Sequence, residues 1–207
     1  MIIAAVIKNH SIDFSEQYLR NSCRKSTLQS VMKHYDFEIR SATSDDIALI
    51  GNMAEVVFRE TYRNILSPKQ MEYMMEWMYS AHSIEKQMDI LGHKYFIASV
   101  EGRSAGYMSL NREKPLPDGT ELFHLQKIYV MPDFQKNGLG RLLIDKAIDY
   151  VKTLSSAPCR IELNVNRNNP AVGFYMNMGF RKVRQGDFYI GNGFYMNDYI
   201  MAVEILP

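Results

Sequence analysis

Residues 122–154 constrain this chain more than any other stretch. Residues 122–130 form an apolar run that ends Ile128-Tyr129-Val130-Met131-Pro132. Residues 139–154 place Leu142, Leu143, Ile144, Ala147, Ile148 and Val151 at helical spacing, with Arg141, Asp145, Lys146, Asp149 and Lys152 between them. Gln135-Lys136-Asn137-Gly138-Leu139-Gly140 connects the two. A glycine-rich turn therefore joins a strand to the N-terminus of an amphipathic helix. Glycine lets the backbone turn tightly and approach a ligand closely. The first N–H groups of a helix have no internal partner, and the helix dipole makes that end positive. Such a turn can cradle a phosphate. On these six residues alone, a plain tight turn remains an equal alternative. The spacing excludes the nucleotide-kinase loop, which ends Gly-Lys-Ser/Thr, and the dinucleotide fingerprint, which needs three glycines.

A second segment strengthens the phosphate reading. Ile161-Glu162-Leu163-Asn164-Val165-Asn166 reads as a strand, followed by Arg167-Asn168-Asn169-Pro170 and Ala171-Val172-Gly173-Phe174-Tyr175-Met176-Asn177-Met178-Gly179-Phe180. Asn169 suits a helix N-cap, Pro170 the first helical position and Gly179 a left-handed C-cap. The result is a short helix carrying Tyr175.

These two motifs, in this order, resemble the acetyl-CoA signature of the GCN5-related N-acetyltransferase (GNAT) superfamily. That signature is Gln/Arg-x-x-Gly-x-Gly/Ala after a strand, then Asn…Ala…Tyr…Gly-Phe. The resemblance covers residue 37 to the end. A narrower likeness, to the bacterial spermidine/spermine acetyltransferases, rests on Phe134 to Gly140, Lys146-Ala147-Ile148, Phe174-Tyr175 and the tail Phe188-Tyr189-Ile190…Ile200-Met201.

The resemblance implies an α/β (α+β) fold, with a twisted mixed sheet of six to seven strands and helices on both faces. It implies acetyl-CoA as co-substrate. The backbone around Gln135, Lys136, Asn137, Gly138, Gly140 and Arg141 would hold the pyrophosphate. Ile128, Tyr129 and Val130 would pair with the pantetheine arm, and Asn169 matches the motif asparagine. Tyr175 takes the family's tyrosine position. A phenol of ordinary pKa near ~10 can protonate a departing thiolate whose conjugate acid lies near ~8.5. Aligning residues 122–130 on the turn puts His124 where relatives carry a catalytic glutamate or histidine. An imidazole near ~6.5 can be neutral at pH 7 and accept a proton. Glu121 is the second candidate base. Gln126, counted two residues on and on the same strand face, replaces an ionisable residue of several relatives. The polyamine branch carries an acidic cluster between its last two strands. Here Gly191-Asn192-Gly193-Phe194-Tyr195-Met196-Asn197-Asp198 holds one carboxylate, which weakens the polyamine reading. Glu55, Glu60, Glu72 and Glu76 offer compensation or a solvated helical face. Tyr62, Trp77, Tyr107, Tyr189 and Tyr195 suggest a pocket with aromatic walls.

The 207 residues suffice for one domain with a sizeable core. Residues 37–207 form the expected acetyltransferase domain, and residues 1–36 an extension outside the pattern. Met32 is the expected natural start, with residues 1–31 a misassigned start or a loose appendage. Net charge is +1 with no basic block, which argues against nucleic acid. No apolar run nears the ~20 residues a membrane helix needs, so a cytoplasmic protein with no membrane partner is expected. Cys23 and Cys159 read as free thiols, and no metal site is expected. Further helices are expected from Thr43 or Ser44, from Ser67-Pro68 and from Ser83. Their Met and aromatic residues (Met71, Met74, Met75, Met78, Tyr73, Trp77, Tyr79) read as core or as the wall of an acceptor pocket. Strands are expected at 94–100, 105–110, 180–190 and 194–205.

The expected function is acetyl transfer to a primary amine of a small molecule by direct attack in a ternary complex. No cysteine falls in the motifs to form an acyl-enzyme. The alternatives are acetylation of a protein N-terminus or lysine, and a non-catalytic acyl-CoA-binding module. Family members often pair as homodimers, so a homodimer is a further expectation.

Overall fold

The structure, a computed structural model, describes residues 36–206. The expected start at Met32, the extension before residue 36 and Cys23 lie outside the described residues. Strands β1 (Phe37–Ser41), β2 (Lys94–Val100), β3 (Arg103–Arg112), β4 (Glu121–Val130), β5 (Cys159–Asn166), β6 (Arg181–Gly191) and β7 (Phe194–Ile205) form one sheet. Their order is β1-β2-β3-β4-β5-β7-β6. Only β4 and β5 run parallel; every other neighbouring pair is antiparallel. Helices α1 (Ile47–Tyr62), α2 (Pro68–Tyr79) and α3 (Ala81–Asp89) precede β2, α4 (Leu139–Leu154) joins β4 to β5, and α5 (Ala171–Asn177) follows β5. This is the expected mixed α/β sheet with helices on both faces.

Local chemistry sets the helix starts. Ser67 accepts from Gln70 N–H, with Pro68 in the first turn of α2. The third helix opens three residues before the expected cap: Ser80, extended at the end of α2, accepts from Ser83 N–H. Ser80 thus ends one helix and caps the next. Before α1, Asp46 accepts from Thr43 N–H and from two guanidinium nitrogens of Arg40. Those bonds to Arg40 and Thr43 hold the Asp46 carboxyl down at about 2.

Each face of the sheet carries its own core. Leu143, Ile144 and Val151 of α4 pack with Phe96, Met108, Leu125, Ile128 and Leu163. Phe58 and Tyr62 of α1 and Met74 and Tyr79 of α2 pack with Tyr95, Tyr107 and Tyr129 on the other face. The methionines Met71, Met74 and Met78 are buried, filling irregular gaps as unbranched side chains can.

Two irregularities in β4 position everything that follows. The first is a bulge. Ser109 pairs with Lys127 but Leu110 with Leu125, so Gln126 is an extra residue on β4. A bulge switches which side chains face which layer. Phe123 and Leu125 face α4 before it, and Ile128 and Val130 after it. Lys127 and Tyr129 are turned to the α1–α3 side. Gln126 and Lys127 both line the α2–α3 side, so counting by twos holds from His124 to Gln126 and fails at Lys127. The second irregularity is a split. β4 pairs with β5 only where Glu121–His124 meets Cys159–Glu162. Beyond that point β5 stays with β7 up to Asn166↔Asp198, and β4 stays with β3 up to Val130↔Gly106. Among the described residues, the pairing of β4 with β5 ends at His124↔Glu162. Gly106 brings β3 and β4 unusually close near Val130, since a Cβ would press into the Tyr129 carbonyl oxygen.

Candidate functional site

The split in β4 opens toward the start of α4. Gly138 is the N-cap residue of α4, left-handed with φ 85°, and no side chain caps the helix. The first helical bond runs from Leu142 N–H to Gly138 O. The N–H groups of Leu139, Gly140 and Arg141 therefore have no intrahelical acceptor. A cavity of about 220 Å³ sits over them, walled by Val130, Gln135, Lys136, Gly138, Gly140 and Arg141, with Phe174 of α5 opposite. Gln135 Nε2 donates to Val130 O at 3.1 Å, tying the turn to the end of β4. Lys136 is also left-handed, at φ 66°. Asn137 lies in the same turn but not on the cavity wall. The space beside Gly138 where a Cβ would point is open. Three donors without intrahelical acceptors, a helix end uncapped among the described residues and two cations at the rim fit a diphosphate.

α5, whose Phe174 and Asn177 line this cavity, also carries Tyr175. Asn169 Oδ1 accepts from Ala171 N–H at 2.9 Å, fixing the first turn, and Gly179 ends the helix at φ 88°. The Tyr175 side chain is fully buried, with Phe174 and Phe180 rings at 5.3 and 5.8 Å. Tyr62 of α1 is near enough to interact with both Asn169 and Tyr175, and burial pushes its phenol up.

The opposite side of β4 borders a second cavity, of about 650 Å³, between the sheet and α2–α3. Its size falls in the usual range for small-molecule sites. Trp77, Lys86, Gln87, His93, Gln126 and Lys127 are on its wall. Glu113 is its single carboxylate among the described residues, and it accepts from Asn111 Nδ2 at 2.8 Å. Gln126 Oε1 and His93 Nδ1 are buried with no hydrogen-bond partner among the described residues. Lys127 is only 1% exposed. Its ammonium donates to Gln87 Oε1, which also accepts from Tyr95 O–H at 2.7 Å. Gln87 Nε2 donates onward to Met78 O. The rings of Tyr79 and Tyr95 flank Nζ, each 5.6 Å away. Burial lowers the Lys127 ammonium to about 7, and no carboxylate among the described residues offsets it.

The two candidate bases are placed differently. Glu121 accepts twice from Arg112 and sits at the start of β4, before the split. Arg112 holds its carboxylate low. His124 is the last β4 residue still paired with β5, opposite Glu162. Its Nε2 is enclosed and has no partner among the described residues. Burial pushes its imidazole down to about 3, which leaves it neutral but very weakly basic. Asp198, grouped in the sequence with the final turn, lies instead within β7 opposite Asn166. Asn164 Nδ2 donates to it at 3.4 Å, and burial lifts its carboxyl to about 7.

The expected aromatic pocket does not form as a unit. Tyr62 and Tyr107 are core, Tyr189 and Tyr195 meet each other at the surface with tilted rings, and of these five only Trp77 reaches the large cavity. Glu55 and Glu72 pair with Arg59, and Glu60 with Arg63, on solvated helical faces. Lys127 escaped the sequence reading, although a single lysine inside an apolar strand was the available signal.

Comparisons with known proteins agree on one fold. The family profile described as "Acetyltransferase (GNAT) domain" matches residues 62–203. An N-alpha-acetyltransferase of Sulfolobus acidocaldarius is 25% identical over 82% of this chain and 94% of its own. The crystal structure of a PaiA N-acetyltransferase from Thermoplasma acidophilum in complex with coenzyme A superposes with a TM-score of 0.64 at 21% identity, covering 82% of this chain and 99% of that one. A spermidine N-acetyltransferase from Vibrio cholerae superposes at 0.55 with 22% identity, over 81% and 93% of the two chains.

Proposed function

Because this chain belongs to the GNAT acetyltransferase family, we propose that it transfers an acetyl group from acetyl-CoA to a primary amine of a small molecule, by direct attack with both substrates bound. The observation that carries this reading is the placement of two cavities on opposite sides of one strand, at the point where that strand leaves its neighbour. One has the donors and cations for a diphosphate. The other is large enough for a small acceptor. The acetyl group belongs between them, at the edge of β4 that has parted from β5.

The chain's residues divide the work. The N–H groups at the start of α4 bind the pyrophosphate, with Lys136 and Arg141 at its rim. The backbone of Ile128, Tyr129 and Val130 pairs with the pantetheine arm. A fixed N–H on the same edge stabilises negative charge on the thioester oxygen, where preorganised donors are most effective. Tyr175 returns a proton to the departing sulfur.

Two observations bear on the acceptor. Among the described residues the large cavity sets one carboxylate against Lys86, Arg112 and Lys127, which suits a monoamine better than a polyamine with its row of ammonium groups. Tyr73 O–H donates to Ile190 O, and Gln70 Nε2 to Tyr195 O, so α2 is strapped to the β6–β7 hairpin. Straps there obstruct an extended peptide. The Sulfolobus relative supports the second reading, acetylation of a protein N-terminus. Thiol release from acetyl-CoA across small monoamines, polyamines, aminoglycosides, amino acids and short peptides tests both. Turnover with small monoamines is expected. Turnover confined to peptides would replace the first reading with the second.

A further inference from the structure

Direct attack requires an unprotonated amine, and alkyl amines are mostly protonated at neutral pH. A group near the thioester must therefore remove a proton. The two candidates on the first half of β4 are poorly suited, since Glu121 is committed to Arg112 and His124 is too weak a base. The structure offers another group. The bulge at Gln126 turns Lys127 away from the α4 core and into the wall of the large cavity. It does so within the stretch of β4 that, among the described residues, no longer pairs with β5.

We propose that Lys127 is the proton acceptor for the incoming ammonium, and that the cavity is its route to solvent; the role rests on the acetyl-transfer reading above.

The chemistry balances. An N–H bond of the ammonium breaks, its electron pair stays on that nitrogen, and the proton moves to the Nζ lone pair. The freed amine forms a C–N bond to the acetyl carbon. The C–S bond breaks and its pair leaves on sulfur. The second amine proton ends on the thiolate, and Lys127 gives its own proton to water in the cavity.

The surroundings of Nζ favour a neutral amine ready to receive that proton. Its direct acceptor is an amide oxygen, not a carboxylate. From α2 and β2 it faces the phenols of Tyr79 and Tyr95, which burial holds above their ordinary range. From the turn before β2 it faces His93, which burial and then Lys127 itself push down to about 3. α3 adds His82 and Lys86 to the cavity wall, and the end of β3 adds Arg112 and Glu113. Arg112 is bound to Glu121, and Glu113 to Asn111. A base with pKa near the working pH is the most effective kind, and Lys127 sits at about 7.

Two measurements test the proposal. The first needs no turnover: trace acetic anhydride labelling of the unloaded protein across pH 5–11, with each lysine followed by mass spectrometry. Lys127 should reach half-maximal reactivity near pH 7, while surface lysines do so near ~10. A Lys127 that titrates with the surface lysines, or never labels, overturns the proposal. The second is the pH profile of kcat/KM for Lys127→Met and Lys127→Arg. Both should lose about 100-fold at pH 7, with the deficit shrinking toward pH 10 as the acceptor deprotonates unaided. A deficit equal at every pH, or an active Lys127→Arg, overturns the proposal, because arginine keeps the charge but cannot take a proton. Failure of the acetyl-transfer reading looks different: the wild type then acetylates no amine while Lys127 still labels early, and both ideas fall together.

Discussion

The two sides of β4 are built from different materials. On the α4 side the site is mostly backbone: a left-handed glycine, an uncapped helix end and a strand edge released from its neighbour. On the α1–α3 side it is mostly side chains, brought from α2, α3, β3 and β4 to one cavity. Backbone sites need a local sequence, because the geometry lies within one turn. Side-chain sites need only the right layer packing, and residues far apart in the chain supply it. The first kind can hold a cofactor shared by a whole family, and the second can vary with the acceptor.

That contrast can be broken at four points. The largest effect is expected at Lys127. Its ammonium is held at about 7 against an ordinary 10.5, so protonation favours the unfolded chain. The cost is present in full below pH 7 and disappears as pH rises through 10.5. Lys127→Met should therefore raise the unfolding free energy at pH 7 by roughly 3–5 kcal/mol, and by much less at pH 9.5. Urea unfolding at the two pH values checks this; an equal gain at both would mean the charge is not the cause.

If the phenol acts on the leaving sulfur as proposed, Tyr175→Phe should cut kcat about 100-fold and leave the acetyl-CoA dissociation constant within about threefold. Pre-steady-state and binding data together distinguish this from a packing defect, which would weaken both. Gly138→Ala should weaken acetyl-CoA binding about tenfold by calorimetry, given a left-handed penalty of roughly 1–2 kcal/mol. Unchanged affinity would mean that the turn is only a turn. The smallest effect is expected at His124. Its imidazole at about 3 does not change protonation in a normal assay, so His124→Gln should cost less than about threefold, by the same factor from pH 6 to 9. A deficit that grows at low pH would restore it as a base.

Legibility from sequence followed the same division. The helix Leu139–Leu154, the strand Cys159–Asn166 and the left-handed Gly179 could all be read from period and punctuation. So could the cap at Ser67, though the choice between Ser80 and Ser83 could not, because it depends on how tightly α2 and α3 abut. The candidate acceptor cavity was not legible. A bulge leaves no mark in an apolar run, and one inserted residue reverses the facing of all that follow. Simple alternation from Phe123 and Leu125 would place Lys127 in the α4 core, where a lysine makes no sense. Tyr62 and Tyr107 were misplaced for a related reason: an aromatic on a core face has the same sequence signature as one on a cavity wall. The parity of Asp198 in β7, and with it its burial against Asn164, likewise depended on knowing where the final turn closes.

The amide of Gln87 has one more consequence. It ties α3 to β2 and β4 at once, accepting from Tyr95 and Lys127 and donating to Met78. Replacing its nitrogen by oxygen, as glutamate would, puts a carboxylate against the lysine. The pair would lock as a buried ion pair, and the lysine would keep its proton across the whole physiological range. In this fold a mobile proton and a permanent salt bridge differ by one heavy atom, on a helix that contributes nothing to the motifs by which the family is known.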